Sequence, residues 1–359
     1  MKIGKYEIKH PIIQGGMGVG ISWDQLAGNV SLEGGLGVIS AVGTGYYKNL
    51  SSNVHIIKKN DKPKDVINFY CKDALKEIFA NARKICGDLP LAANILYAIN
   101  DYGRVVRDAC EAGANIIITG AGIPTNMPEF TKDFPDVALV PIVSSARALK
   151  LICKKWQRYN KIPDAVIVEG PLSGGHQGFK YEDCYKEEFQ LENIVPPVIE
   201  EAKNWGNIPI IAAVGIWEKK DIDKFLAIGC VGVQMATRFI GTFECDADAN
   251  FKNVLLNAKE EDIQLMKSPV GLPARGVKTN LQFSIENHTA PKVQCVSNCV
   301  APCNRGHEAK LVGYCIADRL GAAYKGDVET GLFFSGSNGY RINKIISVKE
   351  LMEKLTLGE

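Results

Sequence analysis

Ile208-Pro-Ile-Ile-Ala-Ala-Val-Gly-Ile-Trp-Glu-Lys-Lys-Asp-Ile-Asp-Lys-Phe-Leu-Ala-Ile-Gly-Cys-Val-Gly-Val-Gln-Met235 decides the fold class of this chain. It opens on an apolar run, 208–214, and closes on another, 231–235. Neither run alternates apolar with polar residues, so each reads as a strand covered on both faces. Between them, 218–228 has helical spacing, and Gly229 is a suitable helix stop. Strand, helix and strand in that order make a parallel βαβ unit. Working outward, apolar runs recur at 11–14, 36–40, 91–96, 115–119, 138–143 and 165–168. Helical patterns recur at 24–30, with Ser22 as a cap, and at 102–112, 146–157 and 197–204. Eight covered strands, most of them separated by helices, predict a (β/α)₈ TIM barrel. An open doubly wound sheet is the runner-up, but no G-x-G-x-x-G dinucleotide fingerprint occurs. The long connection 43–89 is expected to hold an extra helix, 64–86, after a polar, mobile segment, 48–61.

The pattern changes near residue 244. Residues 246–266 read as helical, 267–275 as an irregular loop, and helices are expected near 314–323 and 348–355. Phe333-Phe-Ser-Gly-Ser-Asn-Gly-Tyr340 makes a glycine-rich turn between those two helices. The expected organisation is a barrel over 1–244 and a helical cap lobe over 245–359, its last helix returning to the barrel.

Composition narrows the function classes. The 359 residues are 46% hydrophobic and 23% charged, with a net charge of +2, so nothing electrostatic favours nucleic acid or an anionic membrane. The N-terminal residues lack the apolar core of a signal peptide, and no apolar run reaches the ~18 residues of a membrane span. Eleven cysteines without a secretory signal suggest a reducing cytoplasm rather than a disulfide framework. Seven of them, Cys71, Cys86, Cys110, Cys153, Cys184, Cys230 and Cys245, are spread through strand and helix patterns and read as small buried hydrophobes or surface thiols.

In a barrel, chemistry collects at the C-terminal ends of the strands. The sixth strand runs into Glu169-Gly-Pro-Leu-Ser-Gly-Gly-His176-Gln-Gly-Phe179, where Gly174 and Gly175 allow a close backbone approach to a flat ligand. His176, one of five histidines, is a titratable group suited to proton traffic near neutral pH; otherwise it is a solvated loop residue. Strand one ends in Gly15-Gly16-Met17, where backbone could pass a ring face with Met17 as a soft partner, or Met17 could be core. Strand three contains Asn94 and strand four ends in Thr119-Gly-Ala-Gly122. Gly215 and the run Gln234, Met235, Ala236, Thr237 end strands seven and eight, the usual phosphate site of such barrels. The joint occurrence favours a phosphate-bearing cofactor over mere tight turns.

These residues, in this order, resemble the nitronate monooxygenase (2-nitropropane dioxygenase) superfamily, which includes enoyl-acyl-carrier-protein reductase II. The matching segments are Pro11-Ile-Ile-Gln-Gly-Gly-Met17, Gly34-Gly-Leu-Gly-Val-Ile39, Thr119-Gly-Ala-Gly122, the Glu169 to Gly178 stretch, Ala213-Val-Gly-Ile216 and Gln234-Met-Ala-Thr-Arg-Phe239. The resemblance implies non-covalent FMN. Gly15, Gly16 and Met17 would line the isoalloxazine, and Asn94 would hydrogen-bond it. Glu169, with Gly174 and Gly175 beside it, would meet flavin or ribityl oxygens. Gly215, Gln234, Met235, Ala236 and Thr237 would hold the phosphate, and His176 would stand near flavin and substrate. Many nitronate monooxygenases carry glutamine where this chain has Glu169, whereas the enoyl reductases commonly carry glutamate; Gly-Thr is common where Ala236-Thr237 stands.

The resemblance implies an FMN-dependent oxidoreductase that oxidises alkyl nitronates with O₂. The alternative is NAD(P)H-dependent reduction of an enoyl thioester or a quinone. A flavin-binding redox sensor and a non-redox sugar-phosphate barrel enzyme are the readings from other classes. The expected partner is a small molecule, nitronate or enoyl thioester, and a homodimer is the assembly considered.

Cys295, Cys299, Cys303 and Cys315 have the spacing C-x₃-C-x₃-C-x₁₁-C. Four thiolates suit tetrahedral zinc or an iron–sulfur cluster. The spacing is not the paired C-x₂-C form, and four thiols packing the cap is the other reading.

Overall fold

In the computed structural model, which describes residues 1–47, 69–290, 299–300, 303 and 313–358, the eight apolar runs form one parallel sheet. Its strands are β1 (Ile12–Gln14), β2 (Gly37–Ser40), β3 (Leu91–Leu96), β4 (Ile116–Gly120), β5 (Ala138–Val143), β6 (Val166–Glu169), β7 (Ile210–Ala213) and β8 (Gly232–Met235). Each pairs with its neighbour in chain order from β2 to β8, and β8 pairs back onto β1. A parallel bridge between Ile13 and Leu36 closes the ring, with Gln14 N donating to Leu36 O at 3.0 Å and Leu36 N to Ile12 O at 2.9 Å. The chain is therefore a (β/α)₈ TIM barrel, and the open sheet is excluded.

The covered strands explain the unbroken apolar runs. Val38, Ile118, Val140, Ile167 and Ile211 fill the barrel interior, while their neighbours Ile39, Ile117, Leu139, Val168 and Ala212 pack outward against helices. Ile3 and Ile8, from a short hairpin before β1, join the interior cluster and plug the N-terminal end of the barrel. Space for a ligand is thus left at the C-terminal ends.

The surrounding helices include α1 (Asp24–Leu32), α2 (Lys72–Cys86), α3 (Tyr102–Glu111), α4 (Ala146–Trp156), α5 (Leu191–Lys203) and α6 (Lys219–Ile228). α6 shows why the sequence was legible there. Glu218 and Asp221 form a capping box at its start, and Gly229 ends it with φ 114°. Ile222 and Phe225 are buried on one face between these signals. The extra helix in the long connection is seen as α2; residues 48–68, with the polar 48–61 segment and the expected start of that helix, lie outside the described residues.

The segment beyond 244 departs from the expectation of helices joined by irregular loops. The helical reading of 246–266 holds only for α7 (Ala249–Asn257). It is followed by a hairpin, β9 (Ile263–Lys267) and β10 (Pro273–Val277), where the end of that helix and then a loop, 267–275, were expected. The hairpin was missed because each strand is short and the Pro and Gly of its turn read as a breaker rather than a reversal. α8 (Asn280–Glu286), α9 (Ile316–Tyr324) and α10 (Val348–Leu357) are the further α-helices described in this region. α10 lies against α1 and α6, beside the barrel's seam.

Ser22 does not cap α1. Its Oγ accepts from Met17 N at 2.8 Å and so shapes the loop after β1. The start of α1 is held from far away in sequence: the Asp246 carboxylate accepts from Trp23 N at 2.7 Å, Gln25 N at 3.0 Å and Leu26 N at 3.2 Å. Burial pushes the Asp246 carboxyl up to about 7, so three backbone donors serve a group with little access to water. We predict that Asp246→Ala lowers the unfolding free energy by about 1–2 kcal/mol in urea titration, with Asp246→Asn losing less.

Candidate active site

A cavity of about 1810 Å³ opens at the C-terminal ends of the strands. Every barrel residue singled out from the sequence lines it: Gly15, Gly16, Met17, Asn94, Glu169, Gly174, Gly175, His176, Gly215, Gln234, Met235, Ala236 and Thr237. The structure thus brings together five strand ends that sequence distance separates.

The close approaches have local causes. A Cβ on Gly16 would stand 2.3 Å from Asn94 Cβ, so glycine is required there by the neighbouring side chain itself. Gly174 is required in the same way, because its Cβ would meet the backbone N of Gly336 at 2.7 Å. The end of β7 is strained: Val214, a β-branched residue, has φ 83°, followed by Gly215 at 71°. Such strain costs about 1–3 kcal/mol and collects at functional sites. Asn338 Nδ2 donates to Gly215 O at 2.9 Å, and Thr237 Oγ1 accepts from Gly336 N at 2.9 Å. The glycine-rich turn of the C-terminal region therefore joins the ends of β7 and β8.

His176 sits in a two-residue strand, Gly175–His176, that pairs antiparallel with β10, Ala274 opposite His176 and Arg275 opposite Gly175. Its Nε2 lies 2.7 Å from Ser268 Oγ, and its ring meets Phe334 edge-on at 5.5 Å. Burial pushes the imidazole down to about 4, so it is neutral at physiological pH. Ser268 and Phe334 both come from the C-terminal region and are not among the site residues singled out from the sequence.

Arg275 is the larger omission. It is 5% exposed, and among the described residues no carboxylate lies within ion-pair reach. Its Nη1 donates to the carbonyls of Pro171 and Ser173 inside the His176 loop, the second at 3.2 Å. Gln177, also buried, donates through Nε2 to Ser173 O at 2.8 Å and Gly175 O at 2.9 Å. The only sequence signal for Arg275 was a cation in an apolar, glycine-flanked run, Pro273-Ala-Arg-Gly-Val277.

Among the described residues two buried side-chain polar atoms have no protein partner, Gln234 Oε1 and Arg238 Nε, and both residues line the cavity. Gln234 is a floor residue at 9% exposure, so its carbonyl oxygen is an acceptor awaiting a donor. Arg238 stacks on Trp217 with its guanidinium carbon 4.6 Å from the ring centroid. A polyhydroxylated phosphate ester with ring N–H groups supplies what these atoms lack, so the residues fit FMN.

Cys299 also lines the cavity, while Cys295 lies outside the described residues. Among the described residues no three His, Cys, Asp or Glu side chains converge as metal ligands. Six of the dispersed cysteines are buried, and burial raises each of their thiols, Cys110, Cys153, Cys230 and Cys245 to about 12. Among the described residues no helix is long and apolar enough to cross a membrane.

The sequence matches the nitronate monooxygenase family profile over residues 1–358. The chain belongs to the nitronate monooxygenase family. The family is a group of FMN-dependent oxidoreductases. A probable nitronate monooxygenase of Staphylococcus saprophyticus is 27% identical over 290 residues, 77% of each chain. A Rhodococcus jostii protein described as (3aS,4S,5R,7aS)-5-hydroxy-7a-methyl-1-oxo-octahydro-1H-indene-4-carboxyl-CoA dehydrogenase is 26% identical, over 78% of this chain and 66% of its own. Among solved structures, FabK from Thermotoga maritima superposes with a TM-score of 0.70 at 26% identity, covering 97% of this chain and 92% of that one. Nitroalkane oxidase from Streptomyces ansochromogenes gives 0.67 at 21% identity, covering 97% and 95%, and shares the fold.

Glu169 supplies a pH test of the site. Burial, opposed by a hydrogen bond from Ser173, pushes its carboxyl up to about 7. The folded state therefore holds this proton more tightly than the unfolded chain does. The resulting stability is complete below the ordinary carboxylate range and is lost as pH rises through 7. For FMN-free protein, we predict that the unfolding midpoint falls less between pH 5.5 and 8 in Glu169→Gln than in the wild type, by calorimetry in parallel buffers.

Proposed function

We propose that this chain binds FMN at the strand ends and oxidises alkyl nitronates on the His176 side of the flavin. The observation that carries the cofactor assignment is the unpartnered Gln234 Oε1 on the cavity floor, beside glycines that leave backbone donors open. Gly15, Gly16, Met17 and Asn94 would border the ring. Glu169, Gly174 and Gly175 would face its polar atoms. Gly215 and the backbone N–H groups of Gln234, Met235, Ala236 and Thr237 would hold the phosphate, with Arg238 adding charge. Bound FMN would supply the electron-transfer chemistry, which no protein side chain here can. The protein's share is position and field: Met17 covers ring surface, Gln234 orients a donor, and His176 presents an uncharged imidazole to the substrate.

A second reading, NAD(P)H-driven reduction of an enoyl thioester, is favoured by the cavity itself. Its volume exceeds the roughly 300–1,000 Å³ of ordinary ligand pockets. Ile99, Val300, Ile316 and Leu320 give it an apolar wall. An alkyl nitronate needs little of that space; a thioester with an acyl chain would use it.

Anaerobic mixing separates the two. Flavin bleaching by propane-2-nitronate, with none by NADH or NADPH, is the expected result for the first reading. Bleaching by a nicotinamide alone replaces it with the second. In either reaction His176→Ala is expected to keep bound FMN and lose roughly 100-fold in turnover; unchanged kcat would remove His176 from the chemistry.

A further inference from the structure

We propose that α4 and the acidic stretch after the His176 loop form one self-complementary face, through which two copies of this chain pair about a two-fold axis.

The cationic half lies on α4 and the residues that extend it. Residues 137–163 contain no aspartate or glutamate. Arg147, Lys150, Lys154, Lys155, Arg158 and Lys161 are all exposed in that stretch. Arg147, Lys150 and Lys154 follow at three- and four-residue steps, so they share the solvent face of α4, while Leu149, Ile152, Cys153 and Trp156 are buried behind it. Like charges at these spacings oppose the helix that carries them. Among the described residues none of the six cations has an ion-pair partner, whereas Lys5, Lys72, Lys203, Lys219 and Lys224 all do.

The acidic half stands beside it. Glu182, Glu187 and Glu188 are exposed, and among the described residues they too have no ion pair. Lys186, the cation between them, is taken by Asp183 at 2.6 Å. The three acids lie on two 3₁₀ turns, Glu182–Tyr185 and Glu187–Phe189, that lead into α5. α5 packs against α4. A Cβ on Gly178 would stand 2.9 Å from Ser144 Oγ, so the acidic ridge begins next to the N-terminal end of α4. Two faces of opposite sign therefore share one flank of the barrel.

That adjacency selects the partner. The whole chain carries only +2, and a polyanion drawn to α4 would meet Glu182, Glu187 and Glu188 next to it. A second copy turned by half a rotation meets no such repulsion. Its acidic ridge faces this cationic stripe and its stripe faces this ridge, which is the isologous arrangement of a two-fold dimer. Apolar anchors lie within the same face. Tyr181 and Tyr185 stack with ring centroids 6.0 Å apart and are 45% and 65% exposed, and Leu151 and Ile162 are exposed among the cations. Tyrosine is a residue type that concentrates binding energy at interfaces. Eleven residues of 145–162 and nine of 180–193 are exposed, which together reach the roughly 20–30 residues a side of a stable interface. Tyr181 and Glu182 also line the cavity, so the face borders its mouth.

The test is sedimentation velocity of the full chain at micromolar concentration, in about 50 mM and about 500 mM NaCl. A dimer is expected at low salt, with a Kd at least about tenfold higher at high salt because exposed charges are screened. Two triple variants then probe the pairing: Lys150→Glu with Lys154→Glu and Arg158→Glu, and Glu182→Lys with Glu187→Lys and Glu188→Lys. Each, shown to be folded by circular dichroism, is expected to be monomeric alone at low salt. Their equimolar mixture is expected to regain the dimer, since an all-acidic face then meets an all-basic one. A monomeric wild type at low salt, a wild-type Kd indifferent to salt, a dimer that neither variant weakens, or folded variants that fail to pair when mixed would each overturn the proposal. The salt dependence of the wild type needs no variant to fold.

Discussion

Arg275 carries a positive charge into the interior and directs it at two peptide carbonyls, Pro171 and Ser173, instead of a carboxylate. Hydrogen bonds from a charged donor contribute about 1.5–3 kcal/mol each, and a buried carbonyl left without one costs a comparable amount. The loop after β6 depends on this arrangement, because its glycines give it little rigidity of its own. Arg275 also sits in β10, which pairs directly with Gly175 and His176. One side chain therefore ties the loop after β6, at the cavity, to the hairpin beyond it. Removing it would loosen His176, Ser173 and the wall beside Glu169 together.

The same logic recurs at the other joins between barrel and C-terminal region. Asp246 caps α1, Asn338 holds Gly215 O, and Gly336 N donates to Thr237. Each is a polar contact from beyond residue 244 to the barrel, and those of Asn338 and Gly336 reach strand ends that border the cavity. The C-terminal region thus acts as a set of braces on the βα loops. This explains how loops with Val214 at φ 83° and paired glycines keep one shape.

The barrel was legible because its signals are local. Eight apolar runs read correctly as covered strands, and α6 announced itself through Glu218, Asp221 and Gly229. The hairpin β9–β10 was not legible, because pairing between short strands is decided by partners such as His176 that lie about a hundred residues away. In the site, the residues at strand ends were found because barrel geometry dictates where to look. Ser268, Arg275 and Phe334 were missed for the converse reason: their positions depend on how the C-terminal region folds back. Ser22 shows the limit of local capping rules, since a distant carboxylate took the role and left the serine to the Met17 loop.

Electrostatically, the strand-end part of the cavity combines neutral groups with polar atoms that lack a partner. His176 is neutral, Glu169 is poised near 7, and Gln234 and Arg238 hold unpaired polar atoms. Such a floor is costly alone and would be completed, on the proposed reading, by a ligand with donors at one end and a phosphate at the other. Calorimetric titration of the FMN-free protein with FMN and with riboflavin, side by side, tests this most directly. The account predicts one FMN per chain and far weaker binding of riboflavin, which lacks the phosphate. Equal binding of the two, or binding of neither, would contradict it.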